Sequence, residues 1–420
     1  QTIGTDPSPV LGGATVYTAE NCTGYSNQAT ETEYHNYRNG KCIWCGGYQP
    51  AVLNNNGTYE ISNASQLYWF AGLVNGDASV CDYNEESNPN GTKQNTSANA
   101  VLTADITVNS NLLSSLNDDG TVPNGTVPNG TTVTSWTPIG NSSNNRYTGT
   151  FDGQNHTVSG LYFNNTSTDY VGLFGCVGYS SKSSKVGNVG VEDSYFKGND
   201  YVGGVCGENY GTITNCYHTG AVSATDEFAE VGGVCGYNRG GTITNCYHTG
   251  AVSATGEYAY VGGVCGLNSA NDGTATITNC YHTGAVSATG AVAFVGGVCG
   301  ENYADGGTAT ITNCYHTGAV SGTGSRAVVG GVCGENYADG GTATITNCYY
   351  DSTVYSGNAV GYNSSNGTVS ENVLGKTTAK FNSGEVAYLL NGSTSEGTLA
   401  WGQTIGTDPS PVLGGATVYT

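Results

Sequence analysis

The chain has little charge, no methionine, and no apolar run approaching the ~18 residues of a membrane-spanning helix. Only 10% of its 420 residues are charged, against roughly 25% in an ordinary soluble domain. Eleven Lys and Arg stand against 32 Asp and Glu, a formal charge of −21. That deficit argues against nucleic acid as a partner, because phosphate binding needs clustered basic side chains. The chain is poor in the residues that favour helices, yet too rich in β-branched and aromatic residues to be disordered. It opens on Gln1 without a charged-then-apolar leader, so a signal peptide is expected to be removed or to lie outside this segment.

Gly (66 residues), Tyr (30) and many Asn, Thr and Ser take the place of charge. This mixture reads as strands joined by tight turns. Fifteen cysteines in so polar a chain point to an oxidising, extracytoplasmic compartment.

The sequence repeats on two scales. V-G-G-V-C-G occurs five times, ending at Gly207, Gly236, Gly266, Gly300 and Gly334, each time followed by T-N-C-Y. Nineteen residues separate each T-N-C cysteine from the next V-C-G cysteine, whereas the interval inside a repeat is 10, 11, 15, 15 and 15. The constant interval marks the part that must keep register. The variable one marks a loop, its extra residues falling around Asn271-Asp272-Gly273, Asp305-Gly306-Gly307 and Asp339-Gly340-Gly341. Such a period suits the coils of a β-solenoid stacked at ~4.8 Å, with like residues aligned into ladders. A degenerate copy precedes the five, with Gly175 and Ser194 aligned to the two cysteine positions. On the larger scale, residues 1–18 recur without change at 403–420, so the large unit is 402 residues.

The repeat V-G-G-V-C-G-x-N…G-T-I-T-N-C-Y-H-T-G-A-V-S resembles the GLUG motif of large bacterial surface proteins and adhesins, closely over 171–350. The resemblance implies a right-handed parallel β-helix exposed on the cell surface, all-β, and brings no catalytic residues. This version carries Cys where the family is usually aliphatic.

The expected organisation is a junction segment (1–18), a small Cys-rich N-terminal module (19–58), a helical cap region (59–99) and irregular first coils (100–170). The GLUG-like repeats (171–370), a C-terminal helical cap and connector (371–402) and the start of the next unit (403–420) follow. Short helices are expected near 62–74, capped by Ser62 or Asn63, and near 383–391, the latter closing the far end of the helix.

Pairing within each repeat uses all ten array cysteines: Cys206–Cys216, Cys235–Cys246, Cys265–Cys280, Cys299–Cys314 and Cys333–Cys348, with Cys81–Cys176 completing the set. Bridges between coils and a stack of reduced thiols are the alternatives. Cys22, His35, Cys42 and Cys45 form a C-x12-H-x6-C-x2-C array with ligand types suited to structural zinc; disulfides compete for the same cysteines. No other cofactor is required. His218, His248, His282 and His316 share one repeat position and are expected to stack as neutral polar groups on the coil wall. Fourteen N-x-S/T sequons include candidate glycosylation sites Asn56, Asn90, Asn124, Asn129, Asn155 and Asn366.

A polysaccharide lyase or hydrolase would need a base and carboxylates converging in a groove. Here Glu208, Glu301 and Glu335 recur in repeats rather than converge. The expectation is a non-enzymatic structural subunit of an extracellular fibre or surface stalk, whose partner is itself. The alternative is an adhesin binding glycan or host protein through its side ladders.

Overall fold

A computed structural model describes residues 37–38, 41–42, 47–85, 88–126, 132–179, 183–394 and 399–415. The chain winds as a parallel β-helix. Ten rungs follow one another along its longest sheet, in strands that begin at Thr58, Asn99, Thr150, Lys185, Thr212, Thr242, Thr274, Thr308, Thr342 and Thr368. At ~4.8 Å per rung the ten described rungs span about 48 Å.

Each GLUG-like copy makes one turn through four sheets. In the first full copy, Val202–Gly203 enters a five-stranded sheet and Cys206–Asn209 a seven-stranded one. Thr212–Thr214 and Tyr217–His218 then lie in the longest sheet, and Ala221–Ala224 completes the turn in a six-stranded sheet. The strand pattern follows period 2: in T-I-T the Thr side chains face outward and Ile213, Ile243, Ile277, Ile311 and Ile345 are buried.

The bend in T-N-C-Y-H explains its Asn. Asn215, Asn245, Asn279, Asn313 and Asn347 all have φ between 52° and 55°, a conformation that Asn tolerates better than other side-chain-bearing residues. Their amides also bond one another from coil to coil, at 2.9–3.3 Å from Asn245 to Asn347. A second ladder runs through the interior, where Asn209, Asn238, Asn268, Asn302 and Asn336 are linked by amide bonds of 2.7–2.8 Å. Buried amides need such partners, and stacking identical coils supplies them.

The extra residues of the longer copies are not a loop. They lengthen both strands of the turn, as in Cys265–Asn271 with Thr274–Thr278. The extensions enclose a small separate core of Ala270, Ala275, Ala304, Ala309, Ala338 and Ala343. Only the tips are turns, with Asp272, Gly306 and Gly340 at φ of 52°, 66° and 68°.

The two ends of the solenoid differ. Helix α1 (Ala64–Asn75) is capped by Asn63, whose Oδ1 accepts from the Gln66 amide at 3.1 Å. It is buried on nearly all sides, with Phe70 against Tyr147 and Phe151. At the far end, Val360–Ser365 and Thr368–Lys376 each pair on one side only among the described residues and are largely exposed. Helices α2 (Thr378–Asn382) and α3 (Glu385–Leu390) do not plug that end. They lie against the outer wall, where Asn347 donates to the Leu389 carbonyl at 3.1 Å.

Candidate functional site

Ladders are this molecule's distinctive chemistry, and two of them lie one residue apart. In C-Y-H the Tyr points out and the His points in. Tyr217, Tyr247, Tyr281, Tyr315 and Tyr349 form an outer column in strand register. Its first four rings stack at 4.7–5.0 Å, with interplanar angles of 3–7°.

The C-terminal part of the chain covers the later tyrosines and leaves the earlier ones half-buried. Tyr281, Tyr315 and Tyr349 join Phe381, Val386, Ala387, Leu390 and Trp401 in a core separate from that of the solenoid. Trp401 lies 5.9 Å from the Tyr281 ring and 5.4 Å from that of Tyr315. Beyond Trp401 the chain turns back on itself: Trp401–Gly402 pairs antiparallel with Val412–Leu413. The intervening segment is held by Gln403 Nε2, which donates to the carbonyls of Phe381 (2.7 Å) and Asp408 (2.9 Å). The Tyr315 hydroxyl contacts Ser410 Oγ at 3.1 Å and donates to the Pro411 carbonyl. Residues 403–413, expected to be the start of the next unit, are therefore a strap over the tyrosine wall.

The inner His column is wholly buried, not on the wall as expected. His218, His248, His282 and His316 stack at 5.0 Å. Carbonyls of the H-T-G glycines face the rings, with Gly220 O 2.8 Å from His248 Nε2 and Gly250 O 2.9 Å from His282 Nε2. Burial lowers these imidazoles, His218 to about 3 and His282 to about 4, so the column is neutral at physiological pH.

The cysteines depart from the expected pairing. The twelve assigned to bridges, Cys81 and Cys176 among them, are free thiols. Within a repeat the first cysteine opens a strand of the seven-stranded sheet and the second lies at the bend of the longest sheet, and each cysteine meets its counterpart in the next coil instead. Cys206, Cys235, Cys265, Cys299 and Cys333 are one register column. Cys216, Cys246, Cys280, Cys314 and Cys348 form the other, in which the Cys216 amide points at Cys246 Sγ (3.4 Å). Strand register also moves the degenerate coil by one residue, placing Phe174 rather than Gly175 beside Cys206. At the other end Val360 follows Cys333, and Val373 follows Cys348. Both columns are thus apolar core positions that Cys fills as a small hydrophobe. Burial pushes the thiols of Cys216, Cys235, Cys246, Cys299 and Cys314 well above their ordinary value.

Acidic residues are scattered rather than focused. Glu208 is buried against Arg146 at 2.8 Å, with Arg239 at 3.7 Å. Glu230 is pushed up to about 11 by burial and by sharing a hydrogen bond with Asp200, and Glu301 rises to about 8 through burial. Among the described residues no cluster of three His, Cys, Asp or Glu has the arrangement to hold a metal ion. The candidate zinc set of Cys22, His35, Cys42 and Cys45 lies outside the described residues, Cys42 being described only as backbone strand. Of the sequon asparagines, Asn56, Asn90, Asn155 and Asn366 are exposed; the side chain of Asn124 and all of Asn129 lie outside the described residues.

Residues 229–253, which span one turn of this ladder, match the model of the GLUG motif. The chain carries the GLUG motif. The other four copies stand in strand register with it and share its architecture. Over 99 residues (24% of the chain) it is 32% identical to halomucin of Haloquadratum walsbyi, and over 83 residues (19%) it is 34% identical to a "Putative Gly-rich membrane protein" of Evansella cellulosilytica. These matches span 1% and 9% of those proteins. The GLUG-bearing chain also superposes on a "putative immunoglobulin A1 protease" from Bacteroides ovatus with a TM-score of 0.57, covering 88% of this chain and 96% of that one. At 20% identity that likeness shows the fold alone.

Proposed function

We propose that this chain is a repeating structural unit of an extracellular surface protein, arranged head to tail as a stalk or fibre. The carrying observation is the strand pair Trp401–Gly402 with Val412–Leu413, which straddles the point where the sequence starts over at Gln403. Successive units are thereby joined by folded structure rather than by a loose linker. Ladders of Asn, His, Cys and Tyr rigidify the rod between junctions, and they present no convergent acid, base and nucleophile. The names of the halomucin and Gly-rich membrane relatives support a surface location.

Electron microscopy of the native surface material tests this reading. Straight rods with an axial repeat near 50 Å or its multiples are expected from ten rungs at ~4.8 Å; isolated particles of one unit's length would contradict it. The half-buried stack of Tyr217 and Tyr247 favours a second reading, glycan adhesion, since the amphipathic edges of a tyrosine row offer apolar contact with polar tips. Glycan-array binding that is lost in Tyr247→Ala would support it.

A further inference from the structure

We propose that residues 1–11 are a strap for the tyrosine wall of a second copy of this chain. Their sequence, Q-T-I-G-T-D-P-S-P-V-L, is that of 403–413. The inference rests on the head-to-tail reading and names the contact through which it operates.

The strap and its receiving site divide at one peptide bond. The groups that anchor the strap lie within the repeated sequence: Gln403, Ser410, Pro411, Val412 and Leu413. Every group that receives it precedes Gln403, chiefly Tyr315, Phe381 and the strand Trp401–Gly402. The strap also carries its own turn, so it does not depend on the wall for its shape. Thr407 and Asp408 donate to the Thr404 carbonyl at 3.0 and 2.9 Å, and the Asp408 carboxylate accepts from the Thr404 amide at 2.6 Å. Pro409 and Pro411 restrict the backbone further, which lowers the entropy lost on docking.

Recognition is therefore encoded twice in the chain, at 1–11 and at 403–413, whereas the structure describes one tyrosine wall. A vacated wall would leave the Tyr315 hydroxyl and the edge of Trp401–Gly402 without these partners. The first copy carries the same sequence, with Val10 and Leu11 in the places of Val412 and Leu413. Docking from another chain is an added strand plus an anchored turn. It competes with an attached strap whose effective concentration is in the millimolar range, so it becomes visible once the attached strap is disabled.

The test uses the full chain carrying Ser410→Trp and Val412→Asp, which alter the second strap and leave the wall and residues 1–11 intact. A fluorescein-labelled peptide of residues 1–13 is titrated and read by anisotropy. The expected result is saturable binding to the altered chain, at least tenfold weaker binding to the unaltered one, and none by a peptide with Ser8→Trp and Val10→Asp. The altered chain should also self-associate in sedimentation, and excess peptide should reverse this. Absence of peptide binding to an altered chain with unchanged circular dichroism overturns the proposal. Should the double variant not fold, a photoreactive residue at Val10 in a mixed 14N/15N preparation decides. Cross-links to peptides holding Tyr315 or Trp401 of the opposite isotope support the strap, and cross-links within one isotope alone overturn it. Peptide capture without filaments in the native material would retain the strap and remove the fibre; filaments without capture would do the reverse.

Discussion

Tyr217 and Tyr315 occupy the same motif position and the same column, yet they live in different environments. Tyr217 is half-buried and bonds Glu192 at 2.6 Å, while Tyr315 is fully enclosed beneath Phe381, Trp401 and the strap. The repeat builds one continuous aromatic wall, and the C-terminal segment covers only part of it. A repeat motif thus specifies the coil, while sequence outside the motif decides what the coil's surface is for.

The sharpest way to break this comparison is to truncate each tyrosine in turn. Tyr315→Ala should destabilise the docked segment 378–415 by about 3–5 kcal/mol, the usual effect of deleting a buried aromatic. Hydrogen exchange over that segment measures it. Tyr217→Ala should cost less than ~1 kcal/mol and leave that segment's protection unchanged. Equal effects would mean that the wall, not its cover, sets the stability.

The two asparagine ladders give the next contrast. Asn268→Ala removes a buried amide whose neighbours Asn238 and Asn302 are then left short of a partner, at about 2–3 kcal/mol in urea denaturation. Asn279→Gly should change stability by less than ~1 kcal/mol, because Gly accepts its φ of 53° and the ladder there is partly open to water.

Acidity separates the buried His column from the buried Glu301. The folded-state value of His218, about 3, lies below the ordinary 6.5. The unfolded chain therefore takes up the proton first. This group's contribution is complete above about pH 6.5 and is lost as the pH falls towards about 3. Removing it as His218→Gln should flatten the stability–pH slope between pH 6 and 4 by about 1.4 kcal/mol per pH unit. Glu301 acts oppositely. Its raised value, about 8 against 4.5, makes stability decline as pH rises between those limits, and Glu301→Gln should stabilise the chain at pH 8. Chemical denaturation at several pH values checks both signs.

The smallest effect concerns the thiols. Reductant should leave the melting temperature of the array unchanged, and thiol titration should find the ten array cysteines reactive only after denaturation. A drop in melting temperature with reductant would restore bridges between coils or within repeats.

Much of the fold was legible because register is written in spacing: the invariant 19-residue interval is the part of each coil that carries Cys-Tyr-His and the following strand. Other features depended on neighbours in the next coil, which spacing along one coil does not reveal. The sequence placed Gly175 at the position of Cys206, where strand register puts Phe174. Read as an apolar column from Phe174 to Val360, the same cysteines suggest packing. The alanines of the longer copies, Ala270 and Ala275 among them, were the signal that their extra residues form packed strand rather than loop. The repetition of residues 1–18 marked the junction, but nothing in the segment itself said that it folds onto Tyr315.

A cryo-electron microscopy map of the native multi-unit material, resolved through one unit boundary, tests the central claim most directly. Density for Val412–Leu413 should run antiparallel to Trp401–Gly402 over Tyr281 and Tyr315 at every junction, with the next solenoid beginning beyond it. A boundary in which this segment extends away from the tyrosine wall, leaving Tyr315 open to solvent, would contradict it.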